Sequence, residues 1–239
     1  PAKGWINDPN GLVFFQGYYH VFYQHQPLYE QPGHAPMVWG HARTKDFLHW
    51  EELPVAMEAD RPYDKDGVWS GTATVKDGVM YLFYASVSDN KQTISAARSA
   101  DGLNFEKFEC NPLISNYPKD GSADFRDPAF FSENGVNYLL IASADTVKKT
   151  GNVLLYRSDN FCDWEYVGVF CEYEDAKYCE CPSFVKCGEG YIMSVSVCPN
   201  RAPHYFEVLY GKFDGRRFTK EIVSHFQKGP DEYAGQIFH

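Results

Sequence analysis

The sequence predicts an all-β fold of the β-propeller class. Helix-like periodicity is almost absent, and short apolar or alternating runs separated by Gly, Asp and Asn turns dominate the 239 residues, which is the signature of strands. Aromatic residues make up 17% of the chain and suit the pleated surfaces of sheets. A unit of about four strands recurs roughly every 50 residues, which indicates blades arranged radially about an axis.

The acidic balance of the chain bounds its partners. The formal net charge is −10, from 22 Lys and Arg against 32 Asp and Glu. This argues against a nucleic-acid partner, because such binding neutralises phosphates with basic side chains. No apolar run approaches the ~20 residues that a membrane span needs, so no membrane partner is expected.

Cysteine usage and sorting signals bear on the location of the protein. The seven cysteines form no CxxC pair of the zinc type, no Asn-x-Ser/Thr sequon occurs, and no signal peptide is visible. These observations favour reduced thiols and a cytoplasmic location. The sequence opens inside a motif, however, so a leader that had been removed would instead imply secretion.

Each repeat begins with the same hairpin pattern, in which a polar residue is followed by a Gly turn and then an aromatic-aliphatic strand. The polar residues, separated by 62, 57 and 53 positions, are Asp8, Ser70, Asp127 and Glu180. The turn glycines are Gly17, Gly78, Gly135 and Gly188. Equivalent positions in a radial array converge on the axis, so the four polar side chains are predicted to share one site.

A second element closes each repeat with a turn and an outer strand that carries an aromatic residue. These aromatic residues are Trp50, Phe105, Trp164 and Phe218. Their rings are predicted to fill the gaps between neighbouring sheets, which is a packing role and not a binding role.

A fifth strand start is indicated near the end of the sequence. Residues 229–236 repeat the opening pattern, with Asp231 placed 51 residues after Glu180. We therefore predict a five-bladed architecture of which this sequence, a single domain over residues 1–239, contains four blades and the start of the fifth. An incomplete ring exposes apolar sheet faces and strand edges, which favours self-association.

Two carboxylates that face each other across an axial pocket suit the cleavage of glycosidic bonds. One attacks the anomeric carbon while the other, in its protonated form, donates to the leaving oxygen. Any single acid at a strand start is more simply explained as a turn cap. Three of the four blades place a carboxylate at the same inward position, however, and that equivalence favours a functional site.

Three dispersed motifs resemble the signatures of a known enzyme family. Residues 5–11 (Trp-Ile-Asn-Asp-Pro-Asn-Gly), 125–128 (Phe-Arg-Asp-Pro) and 180–182 (Glu-Cys-Pro) are similar, in order and spacing, to those of glycoside hydrolase family 32. The resemblance implies a five-bladed propeller, usually followed by a β-sandwich that this sequence lacks. It also implies a retaining mechanism through a covalent fructosyl-enzyme, without a cofactor.

The resemblance assigns roles to the three acids. Asp8 is the implied nucleophile on the anomeric carbon of fructose. Glu180 is the implied general acid and then the base that activates water. Asp127 is implied to hold fructose hydroxyls and to stabilise the oxocarbenium-like transition state.

Further positions are implied by local match to bind the sugar. Asn7 and Gln24 are expected to bind fructose hydroxyls, and Trp69 and Ser70 to line the same subsite. Arg126 is expected to hydrogen-bond the sugar or to orient the carboxylates.

Other matches are less regular. Asp231 and Tyr233 resemble a short family element that contributes to the substrate site. His34 stands where the family often has a Trp that stacks on fructose, so substrate preference is expected to differ. Trp39 and His41 are expected to be structural.

The thiols that flank Glu180 raise the question of a metal or redox role. Simple strand alternation points Cys179 and Cys181 to the side opposite Glu180, where buried thiols behave as small hydrophobes. The eight histidines show no HExxH or comparable ligand spacing. No metal is implied.

The leading hypothesis is a hydrolase of terminal β-fructofuranosyl bonds in sucrose, sucrose 6-phosphate or a fructan. One alternative is a fructosyltransferase, which uses the same covalent intermediate and passes it to a sugar. A non-enzymatic alternative is an inactive or carbohydrate-binding propeller. An inverting arabinosidase-type propeller is disfavoured, because that family lacks the Asn-Asp-Pro-Asn-Gly run found here.

Overall fold

The computed structural model describes residues 1, 3–31, 33, 35–225 and 232–238. These residues form sixteen strands in four four-stranded sheets, and no segment of them is helical. Accordingly, no described helix has the length and apolar character to cross a membrane. The all-β prediction is therefore confirmed. The chain divides into two compact units, residues 1–115 with 238–239 and residues 116–237.

The first unit contains two antiparallel sheets, each with its strands side by side in chain order. Blade I consists of β1 (Trp5–Phe15), β2 (Tyr18–Gln26), β3 (Val38–Thr44) and β4 (Trp50–Met57). Blade II consists of β5 (Gly67–Lys76), β6 (Val79–Ser88), β7 (Lys91–Ser99) and β8 (Glu106–Lys107). An apolar cluster that includes Phe22, Trp39, Val68, Leu82 and Tyr84 packs these blades together.

The second unit repeats this arrangement. Blade III consists of β9 (Phe125–Glu133), β10 (Val136–Asp145), β11 (Thr150–Ser158) and β12 (Glu165–Tyr173). Blade IV consists of β13 (Ala176–Cys187), β14 (Gly190–Pro199), β15 (Tyr205–Phe213) and β16 (Phe218–His225). Phe131, Leu140, Phe170, Phe184 and Met193 are members of the core that these two blades share.

The hairpin that opens each blade is built as the repeat predicts. In three blades the turn is two residues long and both residues have positive φ, which defines the type I′ turn that matches strand twist. These pairs are Gln16-Gly17, Asp77-Gly78 and Asn134-Gly135. The turn of blade IV uses Gly188, also at positive φ.

The pairing register of each innermost strand shifts at the polar position singled out by the repeat. The shifts lie at residues 6–9 of β1, 68–71 of β5 and 180–183 of β13. In blade III the shift lies between Leu140 and Ala142 of β10, opposite the Asp127 region of β9. Such bulges re-aim side chains and are common beside active sites, so each blade departs from regular pleating at its candidate site residue.

The packing role predicted for the closing aromatic residues holds only in part. Phe218 is buried in the core of the second unit, and Phe105 packs against the core of the first. Trp164 is half-buried. The prediction is wrong for Trp50, which is 47% exposed and packs edge-on against Phe47. An outer-strand ring is buried only where a second sheet packs over it, and a repeat pattern does not report that neighbour.

The prediction of reduced thiols also holds only in part. Five cysteines carry free thiols, and these are Cys171, Cys179, Cys181, Cys187 and Cys198. The remaining two, Cys110 and Cys162, are disulfide-bonded, so the prediction is wrong for them.

Candidate active site

Asp8 and Ser70 meet on the innermost strands of the first unit. The Ser70 hydroxyl donates a 2.8 Å hydrogen bond to Oδ2 of Asp8 across 62 residues of sequence. The convergence predicted from repeat equivalence is therefore confirmed for blades I and II. Beside this contact the Gly71 N–H donates to Oδ1 of the fully buried Asn10 at 3.1 Å, which ties β5 to β1.

The backbone of β1 shapes this contact. Gly11 has a φ of +54°, and a Cβ placed there would lie 2.8 Å from the ring of Phe22. Only glycine combines that conformation with so close an approach. The Asn-Asp-Pro-Asn-Gly run therefore has a backbone reason in addition to a chemical one.

The other predicted sugar-binding residues of the first unit are placed as follows. The Gln24 side-chain amide donates to the carbonyl of Val68 at 3.0 Å, so part of its bonding capacity supports β5. Asn7 accepts a 2.8 Å hydrogen bond from the indole N–H of Trp5. Trp69 is half-buried, and its carbonyl accepts from the indole N–H of Trp39 at 3.0 Å.

Trp39 and His41 have the structural role expected for them. Both are almost completely buried, and His41 lies with its Nε2 2.9 Å from Nδ1 of His20. The ring of His41 also stacks on Phe22 with centroids 4.2 Å apart. These contacts place the two residues in the interior of blade I.

Arg126 and Glu180 form the centre of the site in the second unit. Nε and Nη2 of Arg126 donate to Oε1 of Glu180 at 3.2 and 3.0 Å, and Nη1 donates to Oδ1 of Asp124 at 2.7 Å. Burial by itself lowers the pKa of Arg126, but the charges of Asp127 and Glu180 outweigh it and raise that pKa above its ordinary value. Arg126 is therefore a permanent cation that contacts the Glu180 carboxylate, and the role expected for it, binding the sugar or orienting the carboxylates, stays a prediction.

Tyr233 holds the second oxygen of Glu180. Its hydroxyl donates a short hydrogen bond to Oε2, so each oxygen of the carboxylate has its own donor. Burial, and then the charge of Glu180 and the hydrogen bond to it, raise the pKa of Tyr233 well above its ordinary range. The phenol therefore stays protonated and remains a donor. Glu180 itself is 22% exposed, so the carboxylate is open to solvent.

Asp127 is buried and held by the backbone of blade IV. Its Oδ2 accepts the N–H of Cys181 at 2.9 Å, and the Cys181 thiol lies 3.5 Å from the same oxygen. Both residues have positive φ, +55° for Asp127 and +47° for Cys181. Such conformations are uncommon for residues other than glycine and concentrate at functional sites.

The orientation expected for Cys181 is wrong. Simple alternation pointed this thiol away from the site, whereas it contacts the Asp127 carboxylate. The register shift after Glu180 and the left-handed conformation of Cys181 break the alternation. Cys179, which precedes the shift, is buried in the apolar core as expected.

Sequence reasoning missed two residues that support the site. Asp124 is the second carboxylate on Arg126, and the ring of Tyr178 lies under the Arg126 guanidinium with 4.8 Å to the centroid. Each stands two residues before a site residue on the same strand or its lead-in. Because residues i and i+2 of a strand lie on the same face, Asp124 could have been predicted beside Arg126 and Tyr178 beside Glu180.

Two predicted site residues, His34 and Asp231, lie outside the described residues. Asp8 and Ser70 belong to the first unit, and Asp127, Glu180 and Tyr233 to the second. In the part of the chain that the structure describes, no group of three or more His, Cys, Asp or Glu side chains is placed to hold a metal ion.

Four sheets of four antiparallel strands, three of which carry a carboxylate at a bulge of the innermost strand, define a domain of the β-propeller type, with four blades in this chain. The chain belongs to the family described as "Glycosyl hydrolases family 32", since the model of that family's N-terminal domain matches residues 1–239.

Curated relatives share this sequence over much or all of its length. A sucrose-6-phosphate hydrolase of Zymomonas mobilis is 36% identical over 100% of this chain and 51% of its own length. A raffinose invertase of Escherichia coli is 39% identical over 79% of this chain and 40% of its own. The chain thus spans about half the length of the curated relatives it matches.

Solved structures share the fold. A Bombyx mori GH32 beta-fructofuranosidase has a TM-score of 0.86 at 32% identity, covering 98% of this chain and 52% of that one. A sucrose-6-phosphate hydrolase from Lactobacillus gasseri has a TM-score of 0.88 at 26% identity, covering 99% and 51%.

Proposed function

We propose that this chain carries the catalytic site of a retaining β-fructofuranosidase, with Asp8 as nucleophile, Glu180 as acid/base and Asp127 as transition-state stabiliser. The observation that carries the proposal is the state of Glu180. Its carboxylate is partly exposed to solvent, and it accepts hydrogen bonds from a buried guanidinium on one oxygen and from a phenol on the other. A group that must donate and then accept a proton at one defined atom needs such orientation.

In the first step Glu180, in its protonated form, gives its proton to the glycosidic oxygen while the Asp8 carboxylate attacks the anomeric carbon. The carbon–oxygen bond breaks, the aglycone leaves as an alcohol, and a fructosyl ester of Asp8 forms. The Ser70 hydroxyl on Oδ2 of Asp8 fixes the rotamer of the nucleophile.

In the second step the Glu180 carboxylate takes a proton from water, and the water oxygen displaces Asp8 from the anomeric carbon. Two displacements at one carbon restore its configuration, and both carboxyl groups return to their starting protonation. The buried Asp127, anchored by the Cys181 N–H, accepts hydrogen bonds from fructose hydroxyls. These bonds strengthen as positive charge develops on the ring.

The proposed substrates are sucrose, sucrose 6-phosphate or a fructan. Relatives over 30% identical are named for the hydrolysis of sucrose 6-phosphate and for invertase activity on raffinose. One Bombyx mori beta-fructofuranosidase structure at 30% identity and a TM-score of 0.81 contains sucrose. Initial rates on sucrose, sucrose 6-phosphate, inulin and levan will identify the preferred fructoside.

The five-bladed total, self-association and a cytoplasmic location remain predictions that go with this proposal. Analytical ultracentrifugation of the purified protein tests the oligomeric state.

The decisive test is fructose release by Asp8→Ala and Glu180→Ala. Each variant is expected to lose at least about 10²-fold in rate on sucrose, because a nucleophile or a general acid is removed. Asp77→Asn, which changes an acid of the exposed β5–β6 turn, is the matched control and should retain full activity. Substantial fructose release by either site variant would overturn the assigned roles.

Two further measurements define the reaction class. The configuration of the first-formed fructose, followed by NMR, should be retained; an inverted product would contradict the covalent intermediate. New oligosaccharides formed at high sucrose would favour fructosyl transfer over hydrolysis.

A further inference from the structure

Cys198 lies next to two polar side chains, His204 and Tyr178, that connect it to the Glu180 site. It belongs to β14, carries a free thiol and is 1% exposed. Its Sγ is 2.9 Å from Nε2 of His204. Across the β13–β14 ladder its register partner is Tyr178. The neighbouring thiol is the largest cause that raises the pKa of Tyr178 to about 12.

One line of contacts runs from Cys198 through Tyr178 to the acid/base. The Tyr178 ring lies under the guanidinium of Arg126, with 4.8 Å from the guanidinium carbon to the ring centroid. Arg126 in turn donates to Oε1 of Glu180. Because Cys198 is the cross-strand neighbour of Tyr178, the thiol limits the positions that this ring can take under the guanidinium.

A second line of contacts runs from Cys198 through His204. The His204 ring lies against the ring of Tyr233, with centroids 5.2 Å apart and planes tilted by 37°. Tyr233 donates to Oε2 of Glu180. The two lines start at Cys198 and end on the two oxygens of one carboxylate.

We propose that Cys198 is a positioning residue for Glu180, acting through Tyr178 on Arg126 and through His204 on Tyr233. This inference rests on the proposed function, in which Glu180 is the acid/base. The thiol fixes the rotamers of Tyr178 and His204, and those rings limit where the two donors of Glu180 can lie. A proton donor that drifts from the leaving oxygen loses rate steeply, since a misplacement of ~1 Å can cost on the order of 10²-fold.

A buried thiol that only fills space makes the opposite prediction. In that case Cys198→Ala would cost stability through a small cavity and would leave the chemistry alone. Cys171 supplies the matched control, because it is also a buried free thiol of the second unit.

The experiment compares two fructosides that differ in their need for a proton donor. The glucose of sucrose is a poor leaving group and needs a proton from the acid, whereas a nitrophenyl β-fructofuranoside expels a stable phenolate and depends on the acid much less. Cys198→Ala is expected to lower kcat on sucrose about tenfold, with little change in KM and much less change on the aryl substrate. Cys198→Ser, which keeps a donor and acceptor at this point, is expected to recover most of the loss, and Cys171→Ala to leave both rates unchanged.

Equal slowing on both substrates, or no slowing, would overturn the inference. Tyr178→Phe, which keeps the ring under Arg126 and removes only the hydroxyl that the thiol influences, repeats the test if Cys198→Ala does not fold. This variant should also lose more kcat on sucrose than on the aryl substrate. Equal losses on the two substrates, or no loss, would count equally against the inference.

A crystal structure of Cys198→Ala separates this inference from the proposed function. The inference requires that the Arg126–Glu180 or the Tyr233–Glu180 contact lengthen or break, and unchanged contacts overturn it whatever the activity. A wild-type protein that releases no fructose from either substrate would instead overturn the proposed function, and the contacts in the variant crystal would then decide the inference alone.

Discussion

Arg126 of β9 and Glu180 of β13, 54 residues apart, form a two-nitrogen contact on one carboxylate oxygen. The pair joins the innermost strands of blades III and IV. The guanidinium also donates to Asp124 at 2.7 Å, so one buried cation contacts two carboxylates. Charge-assisted contacts of this kind are among the stronger hydrogen bonds in proteins.

The first prediction concerns the geometry of this cation. Arg126→Lys keeps the charge and loses the planar fork that reaches Glu180 and Asp124 together. We expect kcat on sucrose to fall by about 10²-fold, because the proton donor is no longer held in line. Arg157→Lys is the control, since Arg157 forms an exposed ion pair with Glu165 in the same unit and such pairs contribute little. Equal rates for wild type and Arg126→Lys would contradict the orienting role.

The second prediction concerns the phenol on the other oxygen of Glu180. Tyr233→Phe removes one hydroxyl and leaves the ring against His204. We expect kcat on sucrose to fall about tenfold with little change in KM, because the loss affects the reacting proton more than substrate binding. Tyr191→Phe is the control, since Tyr191 is a phenol of the same unit whose pKa burial and then Glu133 raise to about 12, and it should leave kcat unchanged. A rise in KM at constant kcat would instead indicate that Tyr233 binds substrate.

The third prediction concerns a buried ion cluster in the first unit. Lys107 Nζ lies 2.6 Å from both Asp64 and Asp60, and Asp64 is completely buried and also accepts from the Tyr84 hydroxyl at 3.0 Å. Lys107→Met leaves the Asp64 carboxylate buried without its cation. We expect a loss of about 3–5 kcal/mol in the free energy of unfolding, measured with urea.

The control for that prediction is Lys65→Met. Lys65 pairs with Asp89 at 2.6 Å, but both side chains are largely exposed, so the expected change is below about 1 kcal/mol. Similar losses for the two variants would show that burial does not distinguish the two ion pairs.

The fourth prediction concerns acid stability. Burial is the main cause that lowers the pKa of His20 to about 4 and of His41 to about 3, with Arg43 lowering both. The unfolded chain therefore binds protons near the ordinary histidine pKa of about 6.5, whereas the folded chain does not until lower pH. The two histidines therefore do not lower the free energy of unfolding above pH about 6.5. As the pH drops towards 4 they lower it by up to about 1.4 kcal/mol per pH unit for each proton.

Unfolding free energies at several pH values check this expectation. His41→Gln should flatten the decline between pH about 6.5 and 4 by up to one proton's worth of slope. His49→Gln is the control, since Asp46 raises the pKa of that exposed histidine and the sign of its contribution is reversed. An unchanged slope in His41→Gln would show that the buried pair does not govern the acid response.

The opening hairpins and the inner-strand positions of the site could be predicted because they depend on short-range signals. Gly17 and Gly78 mark turns that require positive φ, and the alternating residues after them specify strands. The polar residues at Asp8 and Ser70 recur with the blade period. Their contact follows from the geometry of adjacent blades.

The orientation of Cys181 and the exposure of Trp50 could not be predicted in this way. The register shift after Glu180 breaks the alternation on which a strand prediction rests, and the left-handed φ of Cys181 turns its N–H and thiol onto Asp127. Trp50 occupies the same repeat position as Phe218, yet only the latter has a neighbouring blade packed over its ring.

The sequence by itself determined the all-β class and the blade period, because periodicity and turn chemistry are properties of the chain read locally. Its dispersed motifs proposed the three acids. Only the tertiary structure decided that Arg126 and Tyr233 donate to the two oxygens of Glu180 and that Cys198 contacts His204. The two contacts with Glu180 join residues tens of positions apart in the sequence. Their distances depend on bulges and ring packing that no local pattern encodes.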